Sequence, residues 1–224
     1  MAEGGSGRRV LRLLCLHGYR QDGRSFRARC GALRKALRGR AELLMVDAPH
    51  VVAAQPGEAN LLELSEGSAR GWWFSNPQEG TFSALEETLS CKGLEESLEA
   101  VAAACREHSP IDGLVGFSQG AALAGIICAL KQRGDPCFQF DFAILIAGFI
   151  SRALDHQNYY QEPIRVPSLH VLGETDRVIP AEMSQELASH FTEPLFLTHP
   201  GGHFVPVSAA QKKTYLDFLD QFGK

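Results

Sequence analysis

The chain has 224 residues, of which 45% are apolar and 21% charged, and its formal net charge at pH 7 is −4. These values are typical of a globular domain in water, and the negative charge gives no general reason to expect nucleic-acid binding. No apolar run approaches the roughly 20 residues that span a bilayer. The six cysteines are scattered without a Cys-x-x-Cys pair. This spacing favours buried thiols in a reducing, cytoplasmic location, with the nucleus as the alternative.

Residues 1–9 are polar and glycine-rich and are predicted to form a flexible leader before one domain over residues 10–224. Apolar runs then alternate with helical patterns, which predicts a mainly parallel, twisted sheet with helices on both faces. The first two strands are predicted at residues 10–16 and 42–46. The helix between them has Ser25 as its predicted N-cap. Its apolar face is formed by Phe26, Cys30, Leu33 and Leu37.

Basic residues crowd the N-terminal end of the chain, with few acidic residues to oppose them there. A solvated helix face explains most charge runs of this kind. The alternative is attraction of an anionic substrate group, such as the phosphates of a coenzyme A ester. The run consists of Arg8, Arg9, Arg12, Arg20, Arg24, Arg27, Arg29, Arg34, Lys35, Arg38 and Arg40.

The regular pattern breaks down between residues 49 and 90, where glycine and proline separate short apolar islands. Such long irregular segments inside a domain usually serve as lids or binding loops, so we predict a lid-like insertion here. Trp72, Trp73 and Phe74 are either lid anchors over an acyl chain or core aromatics. Beyond this segment, further strands are predicted at residues 111–115, 140–148, 168–172 and 195–198, and a final helix at 208–222.

The predicted strand at residues 111–115 leads into Gly116-Phe117-Ser118-Gln119-Gly120. Gly-x-Ser-x-Gly between a strand and a helix is typical of a nucleophile elbow, in which a tight turn exposes one serine hydroxyl. A side chain at either glycine would collide with the adjoining strand or helix. The pattern predicts Ser118 as a catalytic nucleophile.

A serine needs a base to remove its proton and a third group to orient that base. In the elbow class of hydrolases these partners follow in the order acid, then histidine. Asp176 lies in a turn after a predicted strand, with Glu174 as its rival in the same turn. His203 lies in a glycine-flexed loop after the last strand, with His199 as its rival. Chain order favours Asp176 as the acid and His203 as the base.

Acyl transfer also requires hydrogen-bond donors for the developing oxyanion. We expect the backbone N–H groups of Gln119, directly after the nucleophile, and of Tyr19, in the loop after the first strand. The sequence has no dinucleotide fingerprint, no phosphate-binding loop and no His/Cys/carboxylate cluster at metal-ligand spacing. We therefore expect no cofactor and no metal.

Four ordered motifs together resemble the FSH family of serine hydrolases. They are Leu16-His17-Gly18-Tyr19 with Gln21 nearby, Gly116-Phe117-Ser118-Gln119-Gly120-Ala121, Gly173-Glu174-Thr175-Asp176-Arg177-Val178 and Gly201-Gly202-His203. The resemblance runs from Leu11 to about Phe222 and implies an α/β-hydrolase fold and carboxylic-ester hydrolysis. Ser118, Asp176 and His203 match the family's triad. Residues 55–70 match no family pattern, and such loops shape substrate choice.

The function expected from these residues is hydrolysis of small-molecule medium- or long-chain acyl esters through a covalent acyl-enzyme. Apolar side chains near the expected crevice suggest an acyl pocket formed by Trp72, Trp73, Phe74, Phe149, Ile150 and Phe204. One alternative is a thioesterase that acts on acyl-coenzyme A or an acylated protein, helped by the basic N-terminal helix. Another is a hydrolase fold retained as a non-catalytic binding module.

Overall fold

The structure is a computed structural model that describes residues 9–53 and 69–223. Within these residues, eight strands form a large and a small sheet. The strands are β1 (Leu11–Leu16), β2 (Ala41–Val46), β3 (His50–Val51), β4 (Arg70–Gly71), β5 (Gly113–Phe117), β6 (Phe142–Ile146), β7 (Ser168–Gly173) and β8 (Leu195–His199). The large sheet has the order β2-β1-β5-β6-β7-β8, and every neighbouring pair in it is parallel. The small sheet is the antiparallel pair β3–β4.

Helices lie between these strands and against them. They are α1 (Gly23–Arg29), α2 (Gly31–Ala36), α3 (Leu94–Glu107), α4 (Gln119–Gln132), α5 (Ala181–Ala188) and α6 (Ala209–Leu219), with a 3₁₀ helix at Leu154–Tyr160. The inner strands β5 and β6 are buried at every residue, because helices cover both faces of the sheet. The predicted parallel sheet with covering helices is confirmed.

The structure has two short helices with Cys30 between them where one helix was predicted. The predicted helix is therefore wrong in its continuity and in its N-cap. Its N-cap is Asp22 and not Ser25. The Asp22 carboxylate accepts a hydrogen bond from the Ser25 N–H, and the Ser25 hydroxyl accepts one from the Asp22 N–H. Asp and Ser both favour the N-cap position, and this reciprocal capping box places the N-cap at Asp22, the earlier of the two residues.

The predicted insertion at 49–90 falls partly on residues 54–68, which lie outside the described residues. The part that follows packs closely onto the domain. Trp72 and Trp73 are 0% and 1% exposed and belong to the main core, while Phe74 packs with Val52 and Ala69 in a smaller cluster. Of the two interpretations of the tryptophans, core packing is the one that their burial supports.

The strand order determines where loops converge. Strand β1 lies between β2 and β5, so the chain moves to one side of β1 and then to the other. Parallel sheets bind ligands at the carboxyl edge beside such a reversal. The loops after β1 and β5 meet at this point, and the loops after β7 and β8 leave the same edge of the sheet.

Candidate active site

Ser118 lies in a strained turn between β5 and α4. Its φ is 54° and its ψ is −119°, a conformation that non-glycine residues rarely adopt. A Cβ added at Gly116 would lie 2.5 Å from the Ala121 Cα, and one at Gly120 would lie 2.2 Å from the Leu16 carbonyl oxygen. The turn therefore requires glycine on both sides, and the geometry is that of a nucleophile elbow.

Asp176 and His203 form a hydrogen-bonded pair between the loops after β7 and β8. The Asp176 Oδ2 lies 2.7 Å from the His203 Nδ1, and its Oδ1 accepts hydrogen bonds from the Val178 and Ile179 N–H groups at 2.8 and 2.9 Å. Burial raises the pKa of the Asp176 carboxyl, but the hydrogen bonds from His203, Ile179 and Val178 outweigh it, and the pKa is lowered overall. Asp176 is therefore a charged acceptor that holds one ring nitrogen of His203.

The His203 ring lies beside the elbow. Its centroid is 4.7 Å from that of Phe117, the residue before Ser118. Ser118, His203, Gly18 and Tyr19 all line one cavity of about 510 Å³. The Ser118 hydroxyl makes no hydrogen bond to another described residue, and contacts of this kind often tighten only when substrate binds. The structure thus brings the three residues predicted from sequence to one site.

The rival residues have other contacts. Glu174 is exposed, and its N–H donates to the carbonyl of His199. His199 is buried, and its Nδ1 accepts a hydrogen bond from the Gly201 N–H at 3.2 Å. Burial lowers the pKa of His199, so this ring is a neutral acceptor that shapes the turn before His203.

The loop after β1 contributes Gly18 and Tyr19 to the cavity wall. The Gly18 N–H donates to the Gln21 Oε1 at 2.9 Å, and the Arg20 N–H donates to the Arg70 carbonyl at 2.7 Å. Between them, the Tyr19 N–H has no acceptor among the described residues. The Gln119 N–H also has none there, because the first N–H groups of a helix lack intrahelical partners. Neither expected oxyanion donor is therefore engaged by another described residue.

The side chain of Gln119 has a role that the sequence did not reveal. Its Oε1 accepts a hydrogen bond from the Trp72 N–H at 2.9 Å, and its Nε2 donates to the Trp73 carbonyl at 2.8 Å. The Trp72 indole N–H in turn donates to the His17 carbonyl at 2.7 Å. This network, which we call the Gln119 clamp, ties the start of α4 to the loop after β1. The only sign of this network in the sequence was the amide side chain of Gln119 in a run of small and apolar residues.

The residues expected to form the acyl pocket do not line this cavity, and their role in acyl binding stays a prediction. The described cavity wall includes none of Trp72, Trp73, Phe74, Phe149, Ile150 and Phe204. The apolar part of the wall is formed by Phe82, Ala84, Leu85, Val178 and Ile179.

The burial of the expected residues explains the difference. The rings of Trp73 and Phe149 are buried and pack against Phe82, with centroid distances of 5.5 and 6.0 Å. Phe204 is 49% exposed, and its ring packs on His199 instead. The predicted aromatics therefore support the cavity wall from outside or lie beside it.

The part of the chain that the structure describes has neither a metal-binding cluster nor a membrane-spanning helix. It contains no group of three or more His, Cys, Asp or Glu side chains placed to hold a metal ion. It also contains no helix with the length and hydropathy needed to cross a bilayer.

The sheet topology, the elbow and the Asp–His pair together have the arrangement of an α/β-hydrolase. Solved structures confirm this fold. Acyl-protein thioesterase 2 of Zea mays has a TM-score of 0.62 and 20% identity, with 96% of each chain covered. SOBER1 of Arabidopsis thaliana has a TM-score of 0.62 and 20% identity, covering 96% of this chain and 100% of the other.

The sequence profile described as "Serine hydrolase (FSH1)" matches residues 8–215, and the chain belongs to this family. The protein named esterase OVCA2 in Xenopus tropicalis is 60% identical over 222 residues, covering 98% of this chain and 96% of the relative. Esterase OVCA2 of Homo sapiens is 51% identical over 223 residues, covering 96% and 98%. The predicted membership of the FSH family is confirmed, and the protein is a carboxylic-ester hydrolase.

Proposed function

We propose that the protein is a serine carboxylesterase that hydrolyses small-molecule esters with medium or long acyl chains. Ser118 is the nucleophile, His203 the base and Asp176 the orienting acid. The observation that carries the proposal is the Asp176–His203 pair beside a strained serine elbow, with Ser118 and His203 on one cavity.

The geometry supports the following steps. The Ser118 Oγ attacks the ester carbonyl carbon while the His203 Nε2 takes the hydroxyl proton, and Asp176 stabilises the imidazolium. The Tyr19 and Gln119 N–H groups stabilise the tetrahedral oxyanion. The carbon–oxygen bond then breaks, the alcohol leaves with the proton from His203, and an acyl-enzyme remains. Water, activated by His203, releases the acid and restores the Ser118 hydroxyl.

The cavity supports an apolar acyl group. Its wall contains Phe82, Ala84, Leu85, Val178 and Ile179, and two of these, Leu85 and Val178, are 65% and 54% exposed. Covering such surface with an alkyl chain removes it from water, and each buried methylene contributes about 0.8 kcal/mol. The activity should therefore rise with acyl length until the chain outgrows this wall.

The test is labelling with a fluorophosphonate probe, followed by intact mass, together with hydrolysis of an octanoyl ester. Wild type should gain one adduct and turn over the ester, whereas Ser118→Ala and His203→Ala should do neither. Ser151→Ala is the matched control, because Ser151 also contacts a histidine but is buried away from the cavity. Labelling or turnover retained by folded Ser118→Ala would overturn the assignment, and failure of folded wild type to label would favour the binding-module alternative.

Thioester hydrolysis is the second candidate. The observation in its favour is the fold shared with a protein named acyl-protein thioesterase 2. Comparing kcat/KM for oxygen esters and thioesters of the same acyl chain separates the two candidates. A large preference for the thioester would place the protein with the thioesterases.

We also propose that the enzyme works in the cytoplasm. All six cysteines are free thiols, and four of them are buried. This arrangement suits a reducing compartment.

A further inference from the structure

The cavity that contains Ser118 and His203 carries positive charge. Its wall includes the guanidinium groups of Arg29 and Arg177, and none of its described lining residues is an aspartate or a glutamate. The whole chain has a formal net charge of −4. The charge of this wall is therefore opposite in sign to that of the protein as a whole.

These two arginines have no ion-pair or hydrogen-bond partner among residues 9–53 and 69–223. Arg29 is the last residue of α1 and Arg177 follows Asp176, and both are exposed. Neither forms an ion pair or a hydrogen bond with another described residue. Arg9, by contrast, binds both carboxylate oxygens of Asp112, at 2.6 and 3.0 Å.

The Asp176 carboxylate does not cancel this charge at the wall. Its side chain is 1% exposed, and its two oxygens are engaged by His203 and by two backbone N–H groups. Buried and compensated in this way, it projects little negative charge into the cavity. A ligand in the cavity therefore meets two cations that no other described residue neutralises, beside an apolar surface.

We propose that the preferred substrate is an ester that carries a carboxylate or phosphate besides its apolar part, and that Arg29 and Arg177 bind this anion. A guanidinium group matches both anions with paired N–H donors. The inference rests on the proposed function, because it takes Ser118 as the reacting group. The anion can belong to the acyl half or to the alcohol half of the ester.

Two matched substrate pairs distinguish these sources. The first pair consists of octanoyl esters of a nitrophenol that bears a carboxylate, either ionised or methylated. The second pair consists of p-nitrophenyl esters of a straight-chain dicarboxylic acid, with the far carboxyl group free or methylated. We measure kcat/KM for each at low ionic strength, and the ratio of anionic to neutral substrate within a pair is the readout.

One pair should show a ratio of about five, expressed mainly in KM, because two solvent-exposed ion pairs contribute modestly. The ratio should fall as salt is added, since exposed charges are screened. In the Arg29→Gln/Arg177→Gln variant it should fall to about one.

The matched control is Arg27→Gln/Arg38→Gln. These arginines carry the same charge but line a groove on the outer side of α1 and α2. The control should keep the wild-type ratio.

Equal rates within both pairs would overturn the inference, as would a preference that survives in Arg29→Gln/Arg177→Gln. In either case wild type should still hydrolyse the neutral esters and Ser118→Ala should not. If wild type failed on the neutral and the anionic esters alike, the proposed function itself would be overturned. The two failures are therefore distinguishable.

Discussion

Two serine–histidine groups among the described residues differ in their surroundings, one at Ser118 and His203 and the other at Ser151 and His156. In the first, the Asp176 carboxylate holds His203 beside the Ser118 elbow, and the cavity wall includes both His203 and Ser118. In the second, the Ser151 hydroxyl lies 2.7 Å from the His156 Nδ1, and the Cys91 Sγ lies 2.8 Å from the His156 Nε2. Both ring nitrogens of His156 are therefore occupied by protein groups.

Burial lowers the pKa of His156 to about 4, so this ring is neutral at physiological pH. The second group fastens one segment of the protein to another. Next to it, the Thr88 N–H donates to the Arg152 carbonyl and the Leu154 N–H donates to the Thr88 carbonyl. These bonds hold the chain that supplies Phe82 and Leu85 to the cavity wall. Under the proposed mechanism, a serine beside a histidine serves catalysis only where a carboxylate orients the ring and one nitrogen can reach substrate.

The largest expected effect on kcat comes from substituting the third residue of each group, which is Asp176 in the first and Cys91 in the second. Asp176→Asn keeps the shape of the side chain but removes the charge and favours the wrong tautomer of His203, so kcat should fall by about four orders of magnitude. Cys91→Ala removes the third member of the other group and should change kcat by less than about twofold. Steady-state kinetics on an octanoyl ester, with circular dichroism to verify folding, provide the measurement. Comparable losses in the two variants would contradict the distinction.

The second prediction concerns the Gln119 clamp, which positions the first group and has no counterpart in the second. Gln119→Met removes two buried hydrogen bonds to Trp72 and Trp73 and loosens the start of α4. We expect kcat to fall by about 10- to 100-fold with KM little changed, because an oxyanion donor is displaced. Stopped-flow measurement of acylation would locate the loss in the chemical step.

Helix α4 offers a matched control for the clamp at its other end. The Gln132 amide also binds backbone groups, since its Nε2 donates to the Pro163 carbonyl and its Oε1 accepts from the Arg165 N–H. Gln132→Met should lower stability without lowering kcat. If both variants lost stability alone, the clamp would have no part in positioning the oxyanion site.

Local patterns explain why the sequence predicted Ser118, Asp176 and His203. Each lies within four residues of the end of a strand, and the glycines around Ser118 are required by close approaches that any elbow imposes. Parallel strands bring such loops to one edge, so strand order in the sequence was sufficient to group them.

The cavity wall could not be predicted in the same way. Phe82 and Leu85 reach it because Thr88 is bonded to the chain around Arg152, about sixty residues away. Trp72 and Trp73 are withdrawn from it because Gln119 holds their backbone against α4. These contacts join distant residues, and no periodicity in the sequence encodes them.

The smallest expected effect is a pH dependence of the free energy of unfolding, which arises from the buried histidines outside the candidate active site. In the folded protein the pKa of His156 is about 4 and burial lowers that of His170 to about 3, against 6.5 as the ordinary value. The unfolded chain therefore binds more protons than the folded one below pH 6.5, and the free energy of unfolding falls as pH falls from 6.5 towards 4. Lowering the pH from 7 to 5 should reduce the free energy of unfolding by about 2 kcal/mol for each of these histidines.

His156→Gln tests this because it removes one titrating ring but keeps an amide that can contact Ser151 and Cys91. Urea unfolding of this variant at pH 7 and pH 5 should show a smaller loss of stability than wild type, although Asp155 beside the ring opposes part of the effect. His170→Gln should behave similarly, since His170 is buried against the Ser168 hydroxyl at 3.0 Å. A pH dependence equal to that of wild type in both variants would mean that these rings are not the neutral, structural histidines that their burial indicates. The contrast with His203 would then rest on the Asp176 carboxylate alone.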